Sequence, residues 1–163
     1  MTDALNPARR TGPRIYVDAD ACPVKAETAK VAQRHALPVV FVANAWMQIP
    51  RGVGMRMQVV SGAFDAADDW IAGQVERDDI VITADIPLAS RCLKQGARVL
   101  GPAGKPFTED NIGNALATRE LLADLRAYGV GGGPPPFDQR DRSRFLEALE
   151  LVVREAGRGS IAN

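Results

Sequence analysis

The sequence predicts an α/β domain: a three-layer sandwich with a central, mostly parallel sheet of about five strands and helices at its C-terminal end. Three observations predict it. Residues 39–43 (VVFVA) are apolar at every position, as a strand covered on both faces must be. A short apolar run that ends in aspartate and gives way to a proline-opened helix occurs twice, around Asp18 to Pro23 and around Asp85 to Pro87. Strand, helix and strand patterns also follow one another from residue 15 to residue 43, the signature of a βαβ unit.

A chain of 163 residues is long enough to bury a full core and is most simply one domain, here residues 14–156 between flexible tails at 1–13 and 157–163. Lys plus Arg equals Asp plus Glu at 20 each, so no global positive field recruits nucleic acid and such binding would depend on a local basic patch. Cys22 and Cys92 lie in apolar helical contexts with no export signal before them, which suggests free thiols in a reducing cytoplasm. The longest apolar runs are far too short to span a bilayer, so no membrane partner is expected. Self-association is left open.

In chain order, residues 15–17 form the first strand and Pro23 the first residue of a helix that runs to His35, with Thr28, Val31 and Ala32 on its apolar face. After the buried second strand at 39–43, Asn44 falls beside Asp18. Pro50, Gly52 and Gly54 mark residues 46–54 as a loop, in which Arg51, with Arg56 beyond it, makes a basic spot. Residues 55–60 alternate like an edge strand, and Asp65 caps a helix whose Trp70, Ile71 and Val75 share a face. Residues 79–83 are another buried strand, ending in Ala84 and Asp85 before the helix that carries Leu88 and Cys92. A short strand at 96–100 leads through a turn-rich loop to Thr108, the N-cap of a helix reaching about Tyr128. Arg119 falls on its apolar stripe with Ile112 and Leu116, and Arg126 lies two turns further along. Residues 129–136 form a Gly and Pro tract, and 137–156 a final amphipathic helix built on Phe145, Leu149 and Val153.

The chemistry-bearing residues are the acids at the strand ends. One aspartate before a helix is ordinarily a cap. Asp18 and Asp20 together, with no Lys or Arg before Lys25, repel each other unless a cation lies between them. In a parallel sheet Asp85 joins them on the same edge, and Asp65 or Asp68 at the start of the intervening helix closes the cluster. Oxygen ligands without His or Cys suit Mg²⁺ or Mn²⁺ and disfavour zinc. Thr83 is either an ordinary strand-end residue or a donor to water or phosphate, and Arg119 wants an anion if it faces the core side. His35, the only histidine, is expected to cap a helix C-terminus, and Cys22 beside carboxylates makes a poor nucleophile. Trp46 and Trp70 read first as loop or core anchors, although Trp46 lies in the kind of exposed loop that could stack a base.

The motifs DADACPV at 18–24, DAADDWI at 65–71, VITADIPLA at 81–89, NIG at 111–113 and the late Asp141-Arg142 with Phe145 resemble the YaiI/YqxD family of bacterial proteins, over nearly all of residues 15–151. That family is similar in fold to PIN-domain nucleases, whose acids at corresponding strand ends bind Mg²⁺ or Mn²⁺. The resemblance implies that Asp18 and Asp85 are the two strand-end acids and that Asp65 or Asp68 is the mid-chain acid. The further downstream acid of many PIN nucleases has no evident counterpart, so Asp20 must supply it. The expected function is metal-dependent hydrolysis of RNA or another nucleic acid, with Asp18, Asp20, Asp68 and Asp85 catalytic and with Thr83, Asn44, Arg119 and Arg142 toward the substrate. The alternatives are a PIN-like module that only binds RNA or a protein, and a haloacid-dehalogenase-type phosphatase with Asp18 as nucleophile.

Overall fold

The computed structural model describes residues 12–62, 65–114, 116–118 and 137–161. Six strands form one sheet in the order β3-β2-β1-β4-β5-β6: β1 (Ile15–Asp18), β2 (Val39–Ala43), β3 (Met55–Val59), β4 (Ile80–Ile82), β5 (Arg98–Leu100) and β6 (Pro106–Phe107). The first five are parallel, with Val17 paired to Phe41 on one side and to Ile82 on the other; β6 runs antiparallel to β5.

Period-two alternation sends the strand side chains to two separate cores. Ile15, Val17, Phe41, Ile82 and Leu100 pack with Val31 of α1 (Lys25–Arg34) and with Phe145, Leu149 and Val153 of α5 (Gln139–Ile161). Tyr16, Val40, Val42, Val81 and Val99 pack on the other face with Ile71 of α2 (Ala66–Gln74), Leu88 and Cys92 of α3 (Ile86–Lys94), and Ile112 of α4, the helical residues 109–114 and 116–118. Covered above and below, β2, β4 and the first three residues of β1 have to be largely apolar, and they are buried almost completely; Asp18 at the end of β1 is partly buried.

Several local expectations change in detail. Between β1 and α1 the chain makes a single 3-10 turn, Ala19–Ala21, and α1 starts at Lys25 behind an N-cap at Val24, so Pro23 precedes the helix instead of opening it. The two-residue strand β6 is additional to the expected five; Pro106 suits the edge it occupies because it has no N–H to give to a further strand. Thr108 and Asn111 exchange side-chain bonds to each other's backbone N–H, which starts α4 as Thr108 predicts. The last helix passes Ala156 and continues to Ile161. Of the expected tail at 1–13, residues 1–11 lie outside the described residues, as do the continuation of α4 to Tyr128 with Arg119 and Arg126 and the tract at 129–136; Pro13, within the expected tail, is buried.

At the amino edge of the sheet Asp79 is fully buried and accepts backbone N–H bonds from Arg14 at 3.0 Å and Glu76 at 2.8 Å. Here a carboxylate serves the fold. His35 occupies the C-cap of α1, but its backbone N–H does the capping while its ring bonds Glu150 of α5 at 2.7 Å.

Candidate acidic site at the carboxyl edge

From β1 the chain crosses to α1 on one face, and from the adjacent β4 it crosses to α3 on the other. The loops therefore part at this point and leave a crevice outside the strand ends, where open α/β sheets take ligands. The crevice measures about 580 Å³, and Asp18, Asp20, Asn44, Asp68, Thr83 and Asp85 all line it. The strand register brings Asp18, the last residue of β1, next to the end of β4.

Thr83 organises the centre. Its hydroxyl donates to Asp18 Oδ2 at 2.8 Å and accepts the Asp85 backbone N–H at 2.9 Å. That bond leaves Asp18 Oδ1 turned to other partners. Asp85 is the N-cap of α3, its Oδ1 accepting the Leu88 N–H at 2.9 Å, so the capping and ligand readings share one side chain through its two oxygens. Asp20 sits on the 3-10 turn, exposed, and accepts the Asn44 backbone N–H at 3.1 Å. Asp68 enters from the first turn of α2, where the helix N-terminus favours a negative charge. Asp65 occupies the N-cap position of the same helix without a side-chain cap bond, is exposed, and is not part of the lining. Of the two mid-chain acids, the crevice holds Asp68.

Two of the acids have raised proton affinity. Asp68 is pushed up to about 6, first by burial and then by the charges of Asp85 and Asp18. Asp18 is raised as well, chiefly by burial, with Thr83 opposing and Asp85 and Asp20 adding to the rise. Burial also raises the Cys22 thiol at the crevice wall, as a thiol beside acids should be raised.

Of the expected cations, Arg119 lies outside the described residues and Arg142 is placed elsewhere. Arg142 donates to the Pro23 carbonyl at 2.7 Å and to Glu27 at 3.1 Å, and its guanidinium lies 4.9 Å over the Phe137 ring, so it ties α5 to the start of α1. Its hydrogen-bond partners Pro23 and Glu27 are more than a hundred positions away in sequence, and nothing local announces them. Arg51 lies at the opposite edge: β2 and β3 are parallel, so the loop between them must cross the sheet, and Gln33 near the end of α1 bonds the Arg51 carbonyl. Lys25 bonds the Cys22 carbonyl at 2.6 Å. No Lys or Arg is among the described residues that line the crevice. Ser61 and Gly62 also line it, which sequence reasoning missed; the signal was that the chain must leave the parallel strand β3 at this same edge.

Among the described residues, no three His, Cys, Asp or Glu side chains converge as a ready-made metal-ligand set. The donor chemistry still fits Mg²⁺ or Mn²⁺. Such ions keep several waters and need only one or two protein carboxylates; Asp18 has one oxygen bonded by Thr83, and Asp85, with one oxygen capping α3, shares with Asp68 a side-chain hydrogen bond that a cation would replace.

Three curated relatives, all named UPF0178 protein, cover most of the chain. That of Rhodopseudomonas palustris strain TIE-1 is 54% identical over 159 residues, 97% of this chain and 96% of its own length. That of Azorhizobium caulinodans is 58% identical over 140 residues, 85% and 88% of the two chains. That of Paramagnetospirillum magneticum is 56% identical over 146 residues, 89% and 97%. No solved structure matches the chain. The family model described as "Uncharacterized BCR, YaiI/YqxD family" matches residues 16–155, from within β1 to the last turns of α5, so the acidic crevice and its framework are the family's own matched region and the chain belongs to the YaiI/YqxD family.

Proposed function

We propose that this chain is a Mg²⁺- or Mn²⁺-dependent, PIN-like hydrolase of phosphodiester bonds, acting on RNA or another nucleic acid at the acidic crevice. One observation carries the reading. Asp18, Asp68 and Asp85 line one crevice at a topological switch point, where burial and then the neighbouring charges raise Asp68 to about 6, with no basic side chain in the described lining. A divalent cation would remove that cost. Asp18 and Asp85 would hold it through the oxygens not bonded to Thr83 and Leu88, with Asp68 completing the charge and Asp20 at the rim. When bound, such an ion supplies Lewis-acid polarisation of a phosphoryl oxygen and lowers the pKa of a water. Thr83 fixes the Asp18 rotamer. Asp68, titrating near 6, is suited to hold a proton close to neutral pH and release it to solvent when a cation arrives.

The phosphatase alternative has less support, since Asp18 Oδ2 is engaged by Thr83 and burial makes the carboxyl a weaker nucleophile at low pH. Turnover of single-stranded RNA with Mn²⁺, with EDTA, and by Asp18→Asn is the test. Metal-dependent cleavage lost at least about a hundredfold in Asp18→Asn supports the proposal. Metal binding without any cleavage would replace it by the binding-module reading, and a beryllofluoride adduct on Asp18 by the phosphatase.

A further inference from the structure

Resting on that reading, we infer that Trp46 is a stacking platform for an unpaired nucleobase, and that the site takes single-stranded nucleic acid through this neutral contact more than through ion pairs to its backbone. Trp46 is 73% exposed; the other large apolar side chains exposed among the described residues, Val53, Val59 and Leu151, are all aliphatic. It leaves the carboxyl end of β2 two residues after Asn44, a crevice-lining residue, so their Cα atoms are no more than about 7 Å apart. The segment is anchored on both sides. Ala43 is buried in the core, and Met47 and Ile49 pack against it, so the indole stands outside an otherwise fixed stretch of chain. Trp70, by contrast, is half-buried and meets the Tyr16 ring edge to face, which explains it structurally.

Charge makes such a platform necessary. Among the described residues four aspartates line the crevice and no Lys or Arg does, while Arg142 and Lys25 are committed to internal bonds and Arg51 lies at the far edge. A phosphate chain entering there gains little from counterion release, whatever one bound cation offsets at the scissile group. Stacking on an indole is indifferent to that charge and to base identity. It does require a free base face, which a duplex covers on both sides and a single strand does not.

The test measures fluorescence anisotropy of a fluorescein-labelled single-stranded oligoribonucleotide in Mg²⁺ immediately on mixing, together with KM for its cleavage. Trp46→Ala should weaken binding and raise KM at least about tenfold, Trp46→Phe no more than about threefold, with Tm unchanged in both. The same oligonucleotide in duplex form should bind at least about tenfold more weakly to the wild type, and the salt dependence for the single strand should be shallow. Trp46→Ala binding as well as wild type, or Phe failing as badly as Ala, would overturn the platform while leaving the Asp18-dependent cleavage intact. A wild type that neither binds nor cleaves the strand overturns both readings.

Discussion

The two edges of the one sheet treat charge in opposite ways. At the amino edge Glu150 pairs with Arg34 at 2.8 Å, His35 at 2.7 Å and Arg154 at 3.0 Å, and Arg98 bridges Asp78 and Glu155. At the carboxyl edge Asp18, Asp68 and Asp85 line one crevice without a basic side chain in the described lining. Proton affinity follows suit. Desolvation works to raise Glu150, but the bonds from His35 and Arg34 and the charge of Arg154 bring it below its ordinary value, whereas Asp68 goes up to about 6. Helix polarity explains the sign of each edge: α2 and α3 begin at the carboxyl edge and favour anions, and α1 ends at the amino edge and favours cations. It does not explain why, among the described residues, counterions are present at one edge and none lines the crevice at the other.

The largest way to break this contrast is at Asp79. Asp79→Ala would orphan the buried N–H of Arg14 and remove the Asp79 bond to the Glu76 N–H, and should cost about 2 kcal/mol in urea denaturation. A neutral result would mean that the amino-edge acids are not structural. Adding Mg²⁺ or Mn²⁺ should move the other edge the opposite way, raising stability by about 1.4 kcal/mol when the cation stands at roughly ten times its Kd. Thermal unfolding across millimolar metal, with Asp18→Asn as the comparison, reads this directly; a midpoint that never moves removes the cation from the site.

Asp68→Asn should stabilise the metal-free protein at pH 7. After discounting for its exposure to solvent the gain is about 1 kcal/mol. The sign follows from the native carboxyl binding its proton more tightly than the unfolded one. Between about pH 4 and 6 the native state holds more protons, so stability falls as pH rises through that window and this contribution is flat above it. Asp68→Asn should flatten the slope in EDTA; an unchanged slope would sink the repulsion argument. Glu150→Gln is the smallest change, a loss of about 0.5 kcal/mol that shrinks in high salt, because Arg34 and Arg154 are largely exposed. Glu150 acts in the reverse sense, its stabilisation present above the ordinary carboxylate range and lost as pH falls through its lowered pKa.

What the sequence made legible was whatever burial dictates. The uninterrupted apolar runs of β1, β2 and β4 mark strands covered on both faces, and their common edge follows once they are parallel. Asp18 and Asp85 were thus placed on one edge by topology before any side chain was seen, with Asp65 or Asp68 as the third acid. Features that depend on distant partners were not legible. Pro106 reads as a turn residue until β5 offers it a ladder, His35 reads as a cap until Glu150 takes its ring, and Arg142 reads as a phosphate ligand until Pro23, Glu27 and Phe137 occupy it. Asp65 and Asp68 could not be separated by spacing alone, because which of them faces the crevice depends on where the first turn of α2 meets the sheet.

Pro106 has a further consequence for the sheet as a template. Its backbone cannot donate to an incoming chain, so the short β6 ends the ladder on its side. The outermost strand on the other side, β3, is longer and carries a partly exposed Val59, which makes it the flank at which a foreign strand could extend the sheet. Arg56, exposed in the middle of β3, then acts as a gatekeeper against fibrillar growth: stacked copies would bring like charges together at every rung. Losing that charge would cost the folded monomer little and the concentrated solution a good deal.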